Sequence, residues 1–454
     1  MAEQARLVAA NDEIDTIVAV ATPPGVGGIG IIRISGPATL YIAQTVLGIL
    51  PEPRTAIFRS FFDNTGQILD QGIALYFPAP DSYTAEHVLE LQAHGSPVVL
   101  DMLLKTICQA GARLARPGEF TERAFLNNKL DLAQAEAVAD LINAGSIAAA
   151  RGAARSLQGE FSKAVYALVE RLIELRTYVE VAIDFPDEDI DLLESAGIAG
   201  QLNTLASAIQ ALRAQTEQGV VLREGVRVVL SGPPNAGKSS LLNALVRYDA
   251  ALVTDVAGTT RDIIRERLNL DGMPLEIADT AGLRDSHDPI EQMGMSRARE
   301  AAATADIVLI VLDDNEALDN QMPDVPTDAT RITVRNKIDL SGTLPRYVQD
   351  GDTHTVWMSA KTGEGMDNLR YALRTAAGYE PKETLFMARR RHLEAIDTCA
   401  RHVHAARELI DHNPDLVLIA EELRLAHRHI GEVVGEFTTE DLLGAIFSSF
   451  CIGK

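Results

Sequence analysis

The sequence predicts a multidomain protein with an α+β N-terminal domain, an all-α helical domain and an inserted α/β domain. Short β-branched runs such as TIVAVA and IGIIRIS alternate with a few helical runs before residue 120. From Thr121 the chain becomes rich in Ala, Leu and Glu at helical spacing. Near Val226 an apolar run, a glycine-rich loop and a helical run follow one another, an order typical of α/β domains.

The length of 454 residues suggests about three domains. The changes in pattern place the domain limits at 1–120 for the α+β domain, 121–218 and 379–454 for the helical domain, and 219–378 for the α/β domain. Because helical pattern resumes at about Lys382, we expect the two helical segments to form one bundle around the insertion. Thr121 is expected to cap the first of these helices.

The glycine-rich stretch TPPGVGG near the N-terminus matches a dinucleotide-binding pattern through Gly25, Gly27 and Gly30. That pattern requires a helix directly after it, whereas IIRIS is β-branched and typical of a strand. The sequence therefore predicts a tight glycine turn between two strands at this point.

Composition limits the protein's class and compartment. The formal charge of −23 and the pI near 4.8 argue against an extended basic surface for nucleic acid, so any RNA contact should be local or shared with a partner. The three cysteines are too few and too scattered for a disulfide scaffold or a zinc cluster. The N-terminus lacks a signal-peptide core and no apolar run reaches membrane-spanning length, which predicts a soluble, cytoplasmic protein.

The stretch GPPNAGKSS fits the phosphate-loop pattern at Gly232, Gly237, Lys238 and Ser239. The apolar run Val226–Leu230 before it predicts a strand, and the run after it predicts a helix, as the motif requires. Glycines let the backbone amides face phosphate oxygens at the helix N-terminus. Lys238 is expected to contact the β- and γ-phosphates and Ser239 to hold Mg²⁺.

Four further motifs follow in the order of a GTPase. GTTRD offers Thr260 as a second Mg²⁺ ligand, and DTAG offers Asp279 to Mg²⁺ through water and Gly282 to the γ-phosphate. The NKID carboxylate Asp339 can accept both N–H groups of guanine, and SAK would close over the base. The sequence therefore predicts a Ras-like P-loop G domain. Its expected GTP-binding residues are Asn235, Ala236, Gly237, Lys238, Ser239, Ser240, Thr254, Asp255, Val256, Ala257, Gly258, Thr259, Thr260, Asp279, Thr280, Ala281, Gly282, Asn336, Lys337, Ile338, Asp339, Ser359, Ala360 and Lys361.

The position after DTAG holds Leu283, where Ras-like enzymes place a glutamine that orients the attacking water. Leucine cannot hydrogen-bond water, so we expect a polar residue further along this loop to take that role. The candidates are Arg284, Asp285, His287, Asp288 and Glu291.

Three stretches along the chain carry a resemblance to a known family: TIVAVATPPGVGGIGIIRISG, PGEFTERAFLNNKLDLAQAEAVADLI and the terminal FCIGK. Through them the chain resembles the MnmE (TrmE) family of tRNA modification GTPases from end to end. The resemblance implies an N-terminal folate-binding and dimerisation domain, with Arg33, Glu90, Lys129 and Lys454 at the matching folate-binding positions. Arg and Lys suit the carboxylates of a folate tail, and Glu suits the pterin N–H edge. The expected ligand is a tetrahydrofolate in its 5-formyl or 5,10-methylene form.

The resemblance also implies partners and a cation. The family forms a homodimer and works with the flavoprotein MnmG (GidA) in a heterotetramer or larger complex. Together they install an aminomethyl or carboxymethylaminomethyl group on C5 of the wobble uridine of certain tRNAs, with a folate one-carbon unit. Asn235 and the backbone of Thr254, Val256 and Thr259 match the family's potassium ligands. Glu291 matches its catalytic glutamate, which with Lys238 completes the expected catalytic residues.

Three questions stay open on the sequence alone. The phosphate loop by itself also resembles Era-like ribosome-assembly GTPases, although the flanking segments do not. The G domain could also be only regulatory in a folate-dependent enzyme. Cys451 could be a nucleophile in uridine chemistry or a buried tail cysteine packed beside Phe450 and Ile452.

Overall fold

The computed structural model describes residues 15–184, 197–248, 265–279, 305–316, 329–351, 353–382, 384–412 and 415–453. By packing, these residues divide into two compact units. One unit holds the chain up to Ala139 together with the residues from Val434 onward, and the other holds Asp140–Val433.

The described strands agree with the β-branched and apolar runs of the sequence, with three exceptions. The strands are β1 Thr16–Val20, β2 Gly27–Ser35, β3 Ile57–Phe62, β4 Ile68–Phe77, β5 Val88–Gly95, β6 Ala112–Leu114, β7 Val226–Ser231, β8 Arg265–Leu270, β9 Met273–Asp279, β10 Ile307–Asp313, β11 Thr330–Asn336, β12 Arg346–Asp350 and β13 Thr353–Trp357. The exceptions are β6, β8 and β12, which the sequence did not predict.

The described helices fall mainly in the segments with helical spacing. They are α1 Thr39–Leu47, α2 Pro97–Gln109, α3 Glu119–Leu126, α4 Leu132–Ile142, α5 Ile147–Leu157, α6 Glu160–Asp184, α7 Ile198–Glu224, α8 Lys238–Tyr248, α9 Ile338–Ser341, α10 Met366–Ala376, α11 Arg390–His412, α12 Leu416–Gly431 and α13 Glu440–Ser448.

The first unit is built on a sheet of β1 to β6 in the order β3-β4-β5-β2-β1-β6, in which only the β1–β6 pair is parallel among the described strands. Its core contains fully buried side chains such as Ile32, Leu89 and Leu103 from β2, β5 and α2. The glycine turn before β2 leads into a strand, which confirms that this stretch is not a dinucleotide-binding loop.

The C-terminal tail belongs to the first unit. Ile452 pairs with Pro117 in an antiparallel bridge, and Phe447 and Phe450 pack in one cluster with Leu132 of α4. These contacts group residues 121–139 and 434–453 with the six-stranded sheet, so the packing divides the chain elsewhere than at residues 120 and 378. The domain limits derived from the sequence stay a prediction.

One expectation about the first boundary is wrong. Helix α3 begins at Glu119 with Gly118 as its cap residue, so Thr121 lies inside the helix and does not cap it. Gly118 takes a left-handed conformation at φ 70°, and a Cβ there would meet the carbonyl oxygen of Phe447 at 2.6 Å. Thr121 is instead buried, with its hydroxyl 2.8 Å from that of Tyr83.

The second unit contains a sheet in the order β12-β13-β11-β10-β7-β9-β8. The five central strands β13, β11, β10, β7 and β9 are parallel, and β12 and β8 are antiparallel edges. Parallel strands buried on both faces are apolar throughout, as IVLIVLD in β10 illustrates. Because parallel strands end at the same edge, the loops after β7, β9, β10, β11 and β13 meet there.

Helices from both sides of the insertion pack together in the second unit. Helix α7, which precedes the sheet, contacts α11, which follows it, and α12 packs on both α11 and α6. The structure therefore confirms an α/β domain inserted between helical segments that pack on each other. Among the described helices, none is both long enough and apolar enough to cross a membrane.

Candidate functional site

The phosphate loop lies between β7 and α8, as the motif requires. Gly232 has φ 134°, and a Cβ there would meet the carbonyl oxygen of Val311 at 2.1 Å. Gly237 has φ 97°, and a Cβ there would meet the side-chain nitrogen of Asn336 at 2.2 Å. Only glycine fits at these two positions, so the loop can curl around an anion at the N-terminus of α8.

The polar side chains of the phosphate loop differ in exposure and in hydrogen bonding. The Lys238 ammonium lies across the loop and donates to the carbonyl oxygens of Gly232 and Pro233 at 2.8 and 2.9 Å. Ser239 and Ser240 are exposed in the first turn of α8, and Asn235 is exposed with a left-handed backbone at φ 61°. This arrangement fits a bound phosphate chain with a divalent cation beside it.

Asn336 joins two loops that the sequence places far apart. Its amide nitrogen donates to the carbonyl oxygen of Ala236 at 2.8 Å, and its amide oxygen accepts from the backbone N–H of Ala360 at 2.9 Å. The side chain is almost fully buried, so these bonds fix the distance between the phosphate loop and the SAK loop.

Asp339 is hydrogen-bonded to the SAK loop, which Asn336 also contacts. Its carboxylate accepts from the Ser359 hydroxyl at 2.7 Å, yet the residue remains exposed. An exposed carboxylate with one oxygen fixed can still accept two parallel N–H groups from a base. Lys337 has a left-handed backbone at φ 68°, and Lys361 is exposed after the SAK turn.

Many of the expected site residues lie outside the described residues. For Asp279 only the backbone is described, at the end of β9 and therefore at the same sheet edge. The others outside the described ranges are Thr254, Asp255, Val256, Ala257, Gly258, Thr259, Thr260, Thr280, Ala281, Gly282, Arg284, Asp285, His287, Asp288, Glu291 and Lys454.

In the first unit, Arg33 and Glu90 stand directly opposite each other on β2 and β5. The Arg33 Nε donates to the Glu90 carboxylate at 2.8 Å, and both side chains are about one-fifth exposed. The guanidinium lies over the rings of Tyr83 and Phe120 at 5.5 and 5.8 Å, which fixes its plane. The site thus presents an oriented ion pair at a partly open position of the sheet.

The C-terminal tail ends beside this ion pair. The Gly453 carbonyl oxygen accepts from Arg33 at 3.4 Å, and a Cβ on Gly453 would meet the carbonyl oxygen of Val20 at 2.4 Å. Cys451 is exposed, so the alternative of a buried tail cysteine is wrong. The Cys451 carbonyl oxygen accepts from the Gly118 N–H at 3.3 Å. Lys129 is also exposed, after α3.

Comparisons with known proteins match this architecture along the chain. A family profile described as the GTP-binding protein TrmE N-terminus matches residues 16–129, and one described as the MnmE helical domain matches residues 132–451. The tRNA modification GTPase MnmE of Thiobacillus denitrificans is 54% identical over 97% of this chain and 98% of its own. That of Saccharophagus degradans is also 54% identical, over 97% of this chain and 99% of its own. The chain belongs to the MnmE family.

The solved structures that are similar to this MnmE family member cover only part of its chain. The FeoB G-domain from Methanococcus jannaschii covers 34% of this chain and 97% of its own, at 22% identity and a TM-score of 0.25. The strand order and the phosphate loop described above, rather than this overlap, define the α/β domain.

In this MnmE family member, two acidic residues that the motifs did not predict lie at the edge of the sheet that carries the nucleotide loops. Asp313 and Asp314 follow the last apolar residue of β10, at the same edge as the nucleotide loops. Asp313 accepts from the Lys337 ammonium at 2.8 Å, and Asp314 accepts from the Ser341 hydroxyl at 2.6 Å. Two acids after an apolar strand are the only sequence signal for them, and it is not specific.

Proposed function

We propose that this protein binds and hydrolyses GTP and uses that reaction in the modification of tRNA. The observation that carries the proposal is the pair of hydrogen bonds that the Asn336 side chain makes, one to the phosphate loop and one to the SAK loop. This bridge sets Asp339 at a fixed position relative to the phosphate cradle, as recognition of a guanine nucleotide requires. The tRNA half of the proposal is supported by the names of relatives that match nearly the whole chain.

The described residues have separable roles in this reaction. Lys238 would exchange its two carbonyl partners for β- and γ-phosphate oxygens, and the amides at the start of α8 would face the remaining oxygens. The Ser239 hydroxyl would hold Mg²⁺ together with Thr260, and Asp279 through water. When bound, Mg²⁺ would offset the negative charge on the β- and γ-phosphates.

The hydrolysis step is proposed to depend on potassium and on Glu291. Asn235, exposed beside the cradle, would ligate potassium with the backbone carbonyls of Thr254, Val256 and Thr259. Glu291 would orient the attacking water through a bridging water, because a carboxylate in direct contact would be repelled by the γ-phosphate. Equal hydrolysis rates in potassium and sodium chloride would contradict the cation proposal, and unchanged turnover in Glu291→Ala would contradict the second.

The first unit is proposed to bind the folate that supplies the one-carbon unit. The preformed Arg33–Glu90 pair fits a ligand that offers both a carboxylate and an N–H edge, with Lys129 and Lys454 as further cations. The exposed Cys451 lies two residues before Gly453, which contacts Arg33, so its thiol is a candidate nucleophile. Retained modification in cells that carry Cys451→Ser would exclude that role.

The proposed assembly is a cytoplasmic homodimer that acts with the flavoprotein MnmG in a heterotetramer or larger complex. In this complex the wobble uridine of certain tRNAs would receive an aminomethyl or carboxymethylaminomethyl group at C5. A strongly acidic protein is a poor nucleic-acid surface by itself, which supports a shared tRNA site. Size measurement of the mixed proteins tests the assembly directly. Nothing specific favours an Era-like switch, since the family matches include the N-terminal and helical segments.

The experiment compares wobble nucleosides by mass spectrometry in cells lacking this protein, in cells complemented with it, and in cells complemented with Asp339→Asn. We expect the modified uridine to disappear on deletion and to return only with the wild type. In vitro, Asp339→Asn should prefer xanthosine triphosphate, because the amide inverts the donor and acceptor pattern. Intact nucleosides after deletion would contradict the tRNA half, and equal hydrolysis of ATP and GTP by the wild type would contradict the GTP half.

A further inference from the structure

Asp314 makes contacts on both sides of the guanine-recognition motif Asn336–Asp339. Its carboxylate accepts from Arg335 Nε at 2.9 Å, from the Ser341 hydroxyl at 2.6 Å and from the Thr343 hydroxyl at 2.7 Å. Its backbone N–H donates to the carbonyl oxygen of Asn336 at 2.9 Å. The side chain is only 5% exposed. One carboxylate therefore fixes the residue before the motif and two residues after it.

The element between these contacts cannot hold its own orientation. Helix α9 is a single turn of four residues that carries Asp339, and it is flanked by two left-handed cap residues, Lys337 and Gly342. An isolated turn of this length is unstable in water, so outside contacts must fix it. Ile338 anchors it by burial, Ser359 holds Asp339 from the base side, and Asp314 holds its last residue.

The neighbouring Asp313 acts on the same motif. It accepts from the Lys337 ammonium at 2.8 Å and from the backbone N–H of Asn315 at 3.0 Å. Burial opposes ionisation of both carboxyls, but the hydrogen bonds they accept outweigh it and lower the pKa of each below its ordinary value. Both are therefore charged acceptors at neutral pH, the stronger kind of hydrogen-bond partner.

We propose that Asp314 is a positioning residue for base recognition, which holds α9 so that the Asp339 carboxylate meets both N–H groups of guanine. The inference rests on the proposed binding of guanine nucleotides. A role in stability alone would weaken all nucleotides equally. Positioning instead predicts a loss that depends on the base, because Asp339 would lose its alignment with the guanine 2-amino group.

The test measures the affinities of GDP and IDP, since inosine lacks that 2-amino group. We expect the wild type to prefer GDP, and we expect Asp314→Ala to reduce the GDP-to-IDP affinity ratio by about fivefold to tenfold through weaker GDP binding. Asp314→Glu should recover part of the ratio. In an Asp339→Ala background, where the ratio is already lost, Asp314→Ala should change it no further.

Asp271 provides a matched control in the same sheet. Its carboxylate also accepts several hydrogen bonds, here from Arg370 and Arg374 at 2.6 and 2.7 Å. It lies in the β8–β9 turn, at the edge of the sheet opposite to the nucleotide loops. Asp271→Ala should therefore lower stability and leave the affinity ratio unchanged.

The outcomes separate the inference from the function it rests on. A wild-type ratio in Asp314→Ala, or an equal change in Asp271→Ala, would overturn the positioning role. A further fall of the ratio in the double variant with Asp339→Ala would overturn it too. If Asp314→Ala does not fold, Ser341→Ala with Thr343→Val removes two of the three carboxylate bonds from the donor side and must lower the ratio. A wild type that binds no guanine nucleotide would overturn the proposed function itself.

Discussion

At the scale of single residues, the three cysteines differ in their access to solvent. Cys451 is exposed, Cys108 is half-buried and Cys399 is buried in α11. Burial raises the pKa of the Cys108 thiol, and it raises that of Cys399 to about 12. The thiolate is the nucleophile in alkylation, so burial protects Cys399 twice, through access and through ionisation.

We therefore predict that iodoacetamide at mildly alkaline pH alkylates Cys451 first, at least about tenfold faster than Cys108. Cys399 should react only after denaturation. Peptide mass spectrometry over time gives the three rates, and Cys451→Ser should remove the fast phase alone. Alkylation of Cys399 in the native protein at the rate of Cys451 would contradict its buried position.

How far residue roles follow from the sequence depends on the kind of contact. The phosphate-loop glycines and Asp339 could be predicted because their spacing encodes the chemistry. The exposure of Cys451 could not, since its neighbours Phe450 and Ile452 are apolar and its backbone is held by Pro117 and Gly118, which are distant in sequence. Asp314 could not either, because its partners are distant in sequence and meet only through the order of β10 and β11.

At the scale of elements, the strands were predictable and the helix ends were less so. Period and β-branching define strands locally, whereas the start of α3 depends on a left-handed Gly118 packed against Phe447 and Phe450, far along the chain. The β8–β9 turn is a similar case. Gly272 has φ 96°, and a Cβ there would meet Ala148 of α5 at 2.9 Å and the Tyr379 hydroxyl at 3.1 Å.

We predict that Gly272→Ala destabilises the second unit more than Gly351→Ala. Gly351, in the β12–β13 turn, also has a left-handed backbone at φ 58°, but no described atom lies within 4 Å of its added Cβ. Gly351→Ala should cost about 1 to 2 kcal/mol for the backbone alone. Gly272→Ala should cost about 1 to 3 kcal/mol more, because α5 or Tyr379 must shift. Equal shifts of the denaturant midpoint in the two variants would contradict this packing.

At the scale of the whole molecule, the chain enters the α/β domain from α7 and returns through the segment before α11, and one carboxylate joins these two connections. Asp140 accepts from Arg223 Nε at 2.9 Å, in the last turn of α7, and from Arg389 Nη2 at 3.0 Å, directly before α11. One carboxylate of 9% exposure thus joins the helix that leads into β7 to the segment that returns from the sheet. Pattern changes could predict the insertion, but not this contact.

The returning segment is also packed on both sides. The N–H of Met387 donates to the Gly152 carbonyl oxygen at 3.3 Å, and the Met387 carbonyl oxygen accepts from the buried Ser156 hydroxyl at 2.9 Å. On α7, a Cβ on Gly219 would meet the Phe386 carbonyl oxygen at 2.6 Å. The segment therefore lies between α5 and α7 with no room for an added side chain. The ion pairs of Asp140 with Arg223 and Arg389 connect α7 to the same segment.

We predict that Asp140→Ala destabilises the protein by about 1 to 3 kcal/mol, because the nearly buried carboxylate is lost and the largely buried Arg389 and partly exposed Arg223 lose their shared partner. Asp397→Ala is the matched control. Asp397 also accepts from an α7 arginine, Arg213, which is about as exposed as Arg223, but Asp397 itself is 42% exposed, so its loss should cost about 0 to 1 kcal/mol. Denaturant unfolding gives the first comparison, and amide hydrogen exchange locates the effect. If Asp140 holds the returning segment, the Met387 amide should exchange faster in Asp140→Ala and not in Asp397→Ala. A stability loss with unchanged exchange at Met387 would mean that Asp140 stabilises α4 alone, and that Gly152, Ser156 and Gly219 suffice to hold the returning segment.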